Sequence, residues 1–316
     1  MAKKLVIITN CSERKRARAS AIHLSDVHDS LRERARRWCR RLEHRPGDRI
    51  PAIDLYQGDH WTAVLTLVRR AEQAGWDTNL WVASAGYGLI PAHSPLTPYA
   101  ATFGTYHEDS VGKGLGRLPR DVGRAWWEAL SRWAGPVPGA PRTLVELAER
   151  EPDAAWLVVM SPTYLDAISE DLVQAREALK HTKNLLLVAG TPGPNEPSLV
   201  PHWVPALEIC RGALGGSCTS LNARLGGHLV STYAPEEWDH RRIQPEMNLW
   251  MAGLQPLERP SRRSISDAEA LAFIRKATRK DPSLSHSRLL RELRSQGLAC
   301  EQKRFRALFL TLKESA

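Results

Sequence analysis

The chain has 316 residues, 42% of them hydrophobic and 25% charged, with a net charge of +9. That balance is ordinary for a soluble globular protein, and no apolar run approaches the ~20 residues of a membrane span, so a membrane partner is excluded. The length suits one larger domain with a smaller one beside it.

In chain order, residues 1–10 read as a first strand and 27–42 as a basic helix. Ile50 to Tyr56 reads as extended. His60–Ala74 has the apolar spacing of an amphipathic helix and should stop at Gly75. A strand at 79–84 is followed by a long irregular loop to about Arg117. Helices at 120–133 and 142–150 precede a strand at 155–160, then a helix at 165–180 and a strand at 184–189. A Pro-rich loop fills 191–205. Strands alternating with helices predict an α/β fold with a mostly parallel sheet flanked by helices.

Four strands share one feature. Lys4-Leu-Val-Ile-Ile-Thr-Asn10 runs into Cys11-Ser-Glu-Arg-Lys15. Leu80-Trp-Val-Ala-Ser-Ala-Gly-Tyr-Gly88, Ala155-Trp-Leu-Val-Val-Met-Ser-Pro-Thr-Tyr164 and Asn184-Leu-Leu-Leu-Val-Ala-Gly-Thr-Pro192 follow the same plan. Each apolar run ends abruptly in small polar residues, as strands do where a parallel sheet delivers side chains to a ligand at its carboxyl edge. One shared polar pocket is expected there; four ordinary strand-to-loop turns would use the same residues.

Leu214-Gly-Gly-Ser-Cys-Thr-Ser-Leu-Asn222 resembles a Gly/Ser turn opening a helix at 219–228. Ser217, Ser220 and Asn222 either present donors to a phosphate at the helix N-terminus or belong to a simple capped helix.

The last part of the chain is the most basic. From Arg259 to Ala316 there are 14 Lys and Arg against 6 Asp and Glu, leaving +8. The expected organisation is an α/β domain at 1–256, a linker at 257–264 and a basic helical module at 265–316. The module contains helical patterns at 266–280, 285–295 and 301–314, and its last pair reads as a helix-turn-helix-like unit. Its final helix should turn Phe305, Leu308, Phe309 and Leu312 inward and Glu301, Gln302, Arg304 and Lys313 outward. Concentrated positive charge favours DNA as partner; no protein partner is expected. The scattered cysteines 11, 39, 210, 218 and 300 show no metal-ligand spacing. Free thiols, a cytoplasmic location, no metal and no cofactor are the expectations.

Asn10-Cys-Ser-Glu-Arg-Lys15, Asp54-Leu-Tyr-Gln-Gly58 and Ser84-Ala-Gly-Tyr-Gly-Leu89 with Thr97-Pro-Tyr99 resemble the ordered motifs of one domain family. It is similar to the YaaA proteins and to a domain attached to archaeosine tRNA-modifying enzymes, and its fold resembles that of uracil-DNA glycosylases. The likeness is good over roughly residues 4–105 and loose beyond. It implies either a phage-defence DNA glycosylase that removes glucosylated hydroxymethylcytosine, or an enzyme acting on 7-deazaguanine bases. Asn10 stands where that glycosylase pattern has a water-activating Asp. His93-Ser-Pro-Leu-Thr97 resembles the His-Pro-Ser-Pro-Leu loop of uracil-DNA glycosylases, although it lies earlier in the chain.

Glycosidic cleavage passes through an oxocarbenium-like sugar and a departing base anion. On the glycosylase reading Asn10 orients the water, while Asp54 accepts its proton or opposes the sugar cation. His93, or the N–H groups around Cys11 and Ser12, stabilises the base anion. Tyr87, Tyr99 and Tyr164 are candidate stacking walls for a flipped base. Ser12, Ser84, Ser94, Ser161, Ser217 and Ser220 are candidate contacts to base edges or phosphate, and Arg14 and Lys15 would neutralise phosphates. The rival reading makes Cys11 a nucleophile on the nitrile of a 7-deazaguanine. A third leaves a DNA-binding protein without chemistry.

Overall fold

The computed structural model describes residues 2–16, 21–27, 30–45, 47–114, 119–256, 261–281 and 284–314. They group into two compact units, Met1–Pro256 and Leu257–Ala316. In the first unit β1 (Lys4–Asn10), β2 (Ile22–His23), α1 (Leu31–His44), β3 (Ile50–Pro51), α2 (Ala52–Leu55) and α3 (Asp59–Gln73) lead to β4 (Asp77–Ser84). Next come β5 (Gly88–Pro91), β6 (Pro95–Leu96), β7 (Tyr99–Ala100), α4 (Pro119–Ser131), α5 (Leu144–Arg150), β8 (Ala155–Val159), α6 (Pro162–Ala167) and α7 (Ser169–Ala178). β9 (Leu185–Ala189), β10 (Trp203–Pro205), α8 (Arg211–Leu214), α9 (Leu221–Thr232) and α10 (His240–Ala252) complete it.

The main sheet has the order β10-β9-β8-β1-β4-β5, and every neighbouring pair is parallel except β4 with β5. The four apolar runs are thus four adjacent strands whose carboxyl ends share one edge. Side chains alternate across the sheet. Val6 and Ile8 join the core under α1, α4, α5 and α7, whereas Leu5 and Ile7 join the core under α3, α9 and α10. α3, which feeds β4, packs mainly on the second face; α6 and α7, which follow β8, pack on the first. The helices that feed β4 and β9 therefore lie on opposite faces, which makes the β1–β8 boundary the topological switch point of the sheet.

Several local expectations change. Residues 52–55 form α2 where an extended segment was expected, with the Ala52 and Ile53 N–H groups bonded to the Ser94 and Ala92 carbonyls. The loop after β4 contains β5, β6 and β7. Its sharp entry is made by Ser84, whose Oγ accepts from the N–H groups of Gly86 and Tyr87. The helix expected at 165–180 starts earlier, at Pro162, and breaks at Ile168, where the Ser169 hydroxyl donates to the Asp166 carbonyl. The Pro-rich loop ends in β10, and α10 had no counterpart among the expected elements.

The second unit comprises β11 (Arg263–Ser264), α11 (Asp267–Lys280), α12 (His286–Ser295), β12 (Leu298–Ala299) and α13 (Gln302–Glu314). A capping box of Ser266 and Glu269 starts α11, and Ser285 caps α12. Leu289, Leu290, Leu293, Phe305 and Phe309 are buried together with Ile265 and Ile274. The expected linker is corrected in part: Arg263 and Ser264 pair with Leu298 and Ala299 and belong to this unit. Residues 257–260 and the Lys313 side chain lie outside the described residues.

Candidate functional site

β1 is the central parallel strand, and Asn10 ends it at the switch point. The Asn10 Oδ1 accepts the Ser161 N–H from beyond β8 at 3.0 Å, and its Nδ2 donates to the Cys11 carbonyl at 3.0 Å. Asn10 therefore clamps β1 to β8, and one lone pair of Oδ1 stays available to a water or a ligand. The Cys11 N–H donates to Ala83, tying the same loop to β4. The Cys11 thiol is buried 3.1 Å from the Tyr164 hydroxyl, and the Tyr164 ring meets Phe103 edge-on. Burial, with Cys11 close by, pushes the Tyr164 phenol well above its ordinary range, so it is a proton carrier and not an anion at neutral pH.

Beside this lies a cluster centred on Tyr99. Its hydroxyl is 2.9 Å from the Tyr56 hydroxyl and 2.7 Å from Ser84 Oγ. Lys15 Nζ sits 4.3 Å from the Tyr99 ring centroid and donates to the Ser12 carbonyl at 2.9 Å. Tyr87 and Trp38 meet the ring edge-on. Gly86 lies so close that an added Cβ would come within 2.4 Å of Tyr99. Burial raises the phenols of Tyr56 and Tyr99 well above their ordinary range. The Cys-Ser, Asp-Leu-Tyr, Ser-Ala-Gly-Tyr-Gly and Pro-Tyr motifs thus meet at one side chain. Tyr87 is spent structurally: its hydroxyl donates to the Thr97 carbonyl and accepts the Thr97 N–H. Ser12 likewise donates to the Arg14 carbonyl and accepts the Gln57 N–H.

A cavity of about 30 Å³ opens between these groups and the loop after β7, lined in part by Lys15, Tyr99, Thr102, His107 and Asp109. It is large enough for a water and far too small for a base. Asp109, only 3% exposed, accepts the Ser25 N–H at 3.0 Å and faces His23 Nδ1 at 3.1 Å. Burial alone would raise its carboxyl; the Ser25 N–H and the His23 ring outweigh that and hold it below the usual range. His107 accepts the Asp109 N–H at Nδ1, which leaves Nε2 facing Glu13 at 3.5 Å. Asp109, His23 and His107 were missed in the sequence. They follow no motif, and only the pairing of β2 with β7 brings His23 beside this loop. Buried His60 was missed too. Its Nε2 lies 3.3 Å from both Thr9 Oγ1 and the Asn10 carbonyl, and burial lowers its pKa.

Other expected site residues lie elsewhere or are already engaged. Asp54 is exposed on α2 and takes no part in the cluster. His93 is exposed in the turn after β5, which runs back along β4 so that Pro91 pairs with Trp81. That is three residues, roughly 10 Å, behind the carboxyl edge. Ser94 is buried in the same turn and donates to the Pro91 carbonyl. Arg14 is exposed and packs its stem against Gly58. The turn before α9 does grip an anion, but that anion is the protein's own: the N–H and Oγ of Ser217 donate to the Asp59 carboxylate, which also pairs with Arg224. These bonds hold the Asp59 carboxyl far below its ordinary range. Ser220 donates to the Ser217 carbonyl, and Asn222 is spent on the Met160 carbonyl. Arg304 in the second unit pairs with Asp267 and bonds the Ile265 carbonyl.

Among the described residues no group of three or more His, Cys, Asp or Glu is placed to hold a metal ion. No helix among them is long and apolar enough to cross a membrane. Fold and site define an α/β protein with a polar, partly charged crevice at the carboxyl edge of its central strand. No family model, curated protein or solved structure matches the chain.

Proposed function

We propose that the chain is a DNA glycosylase of uracil-DNA-glycosylase-like fold, acting in the cytoplasm against phage DNA. It extracts a modified base, glucosylated hydroxymethylcytosine, and leaves an abasic site. The observation that carries this reading is the small cavity beside the loop after β1, lined by Lys15 and Asp109, with Asn10 ending the same strand at the switch point. An ionised carboxylate there opposes a sugar cation, an ammonium offsets a departing base anion, and the free lone pair of Asn10 orients water. In this reading the carboxylate role passes from Asp54 to Asp109, and that of His93 to Lys15. Tyr164, buried beside Cys11 and outside the lining of the present cavity, walls the opened pocket. A flipped base is several times larger than the cavity, so the segments 11–16 and 98–109 must part to admit it.

The second unit, read as a helix-turn-helix-like module, grips duplex DNA. Supporting this are the exposed Arg275, Lys276, Arg279 and Lys280 on α11, and a cavity of about 420 Å³ lined by Arg262, Arg291 and Arg294. The contact of Cys11 with Tyr164 favours a second reading, in which the thiol attacks the nitrile of a 7-deazaguanine and the phenol supplies the proton to nitrogen. Incubation with unmodified, glucosylated and deazaguanine-containing phage DNA separates the two. A released base with alkali-labile sites on the glucosylated DNA alone supports the glycosylase. A mass change confined to the deazaguanine nucleoside, lost in Cys11→Ser, supports the second reading.

A further inference from the structure

A groove of about 1000 Å³ lies between α1 and α4 and shares no lining residue with the crevice. α1 buries Ala35, Trp38, Cys39 and Leu42 against the core. Its four-residue spacing then sets Arg32, Arg36 and Arg40 in a row along the groove, and Arg132, just past the end of α4, lines it with them. Each step of that row rises about 6 Å along the helix, close to the separation of successive phosphates on a nucleic-acid strand. Arg32 pairs with no carboxylate among the described residues. Among the described residues Arg36 and Arg40, each 65% exposed, reach only Glu33, at 3.7 Å, and share it with Arg37. The acids of the groove are engaged: Glu128 pairs with Arg132, and Glu43 accepts from the Trp133 indole N–H. Trp133 is half-buried and lines the groove, its ring packed by Tyr87 and Arg142.

We propose that the α1–α4 groove is a track for the phosphodiester backbone of a nucleic-acid strand, with Arg32, Arg36 and Arg40 meeting successive phosphates. This rests on the nucleic-acid partner proposed above but not on base removal. The row stays guanidinium-rich because α1 has only Glu33 and Glu43 to oppose six arginines, one of which, Arg34, is buried on backbone carbonyls.

The test is fluorescence anisotropy with unmodified oligonucleotides, single-stranded and duplex, across roughly 50 to 200 mM salt. The full chain is compared with its Arg32→Gln/Arg36→Gln/Arg40→Gln variant. Removing three phosphate contacts should lower the slope of log Kd against log salt by about 2 on a single strand or about 3 on a duplex. Affinity at low salt should fall about tenfold or more, with Tm unchanged. Whichever form loses the larger share identifies the strand the groove takes. Arg69→Gln/Arg70→Gln/Lys183→Gln removes the same charge elsewhere in the unit and should keep most of the slope. An unchanged slope, or equal losses in both triple variants, would overturn the proposal. So would equally tight, groove-dependent binding of polyaspartate, which points to an acidic protein. The probes carry no modified base, so the result is independent of any base release.

Discussion

The Tyr99 cluster and the α1–α4 groove are built on opposite principles. The cluster gathers nearly every ordered motif of the sequence, is buried, and has its hydroxyls bonded to one another. The groove follows no motif, is open, and holds guanidinium groups with few acids to meet them. A recognisable motif here marks where the backbone is forced into close packing: Ser84 shapes the turn, Gly86 leaves room for a ring, and Tyr56 and Ser84 satisfy that ring's hydroxyl. Recognition by charge needs exposed groups, and those sit well apart from the motifs, in the groove.

If that contrast holds, substitutions in the cluster cost stability and substitutions in the groove cost binding. The largest effect is expected from Gly86→Ala, whose new methyl would overlap the Tyr99 ring. Urea unfolding should show a loss of about 3 kcal/mol; a loss below about 1 kcal/mol would mean the cluster is not tightly packed. Tyr99→Phe keeps the ring but strips the Tyr56 hydroxyl of its partner, and about 2 kcal/mol should be lost. The Arg32→Gln/Arg36→Gln/Arg40→Gln variant should unfold within about 0.5 kcal/mol of the parent, since these side chains leave the core untouched.

Acid exposes a third pattern. His202 is lowered to about 4 by burial and by the neighbouring His240 ring, and it bonds Arg176 and the Leu185 carbonyl as a neutral ring. Its unfolded counterpart, with a pKa near 6.5, takes up a proton first. Stability is therefore full above pH ~6.5 and falls as pH drops toward ~4, by roughly 1–3 kcal/mol. His60, His228 and His240 are lowered by burial and act in the same direction. Thermal unfolding between those pH values checks it, and a flat profile would contradict it. A small effect is also expected from Asp59→Asn. It weakens an exposed anion grip on Ser217 and Arg224 and should cost about 1 kcal/mol or less.

How far the sequence reaches follows from the range of each interaction. The four parallel strands and most helices were legible because apolar periodicity is local: Leu5–Ile8 and the buried stripe of α3 carry their own signal. The switch point was legible in outline, since polar residues end each strand, and Asn10 does bridge β1 and β8. What stayed hidden depends on distant partners. Asp109 matters because β2 and β7 pair, and no spacing rule links His23 to residue 109. The Ser217 turn reads as an anion site, and it is one, but only the packing of α3 against α9 reveals that Asp59 fills it. His93 was misplaced because the tight turn at Ser84 returns β5 along β4, away from the carboxyl edge.

The central claim is base excision at the crevice, and release of free base from glucosylated phage DNA by the purified protein tests it most directly. The account predicts a released modified base and alkali-labile sites on that DNA and none on unmodified DNA, with activity lost in Asp109→Asn and Asn10→Ala but kept in Asp54→Asn. Intact glucosylated DNA, or release that survives Asp109→Asn and fails in Asp54→Asn, would contradict it.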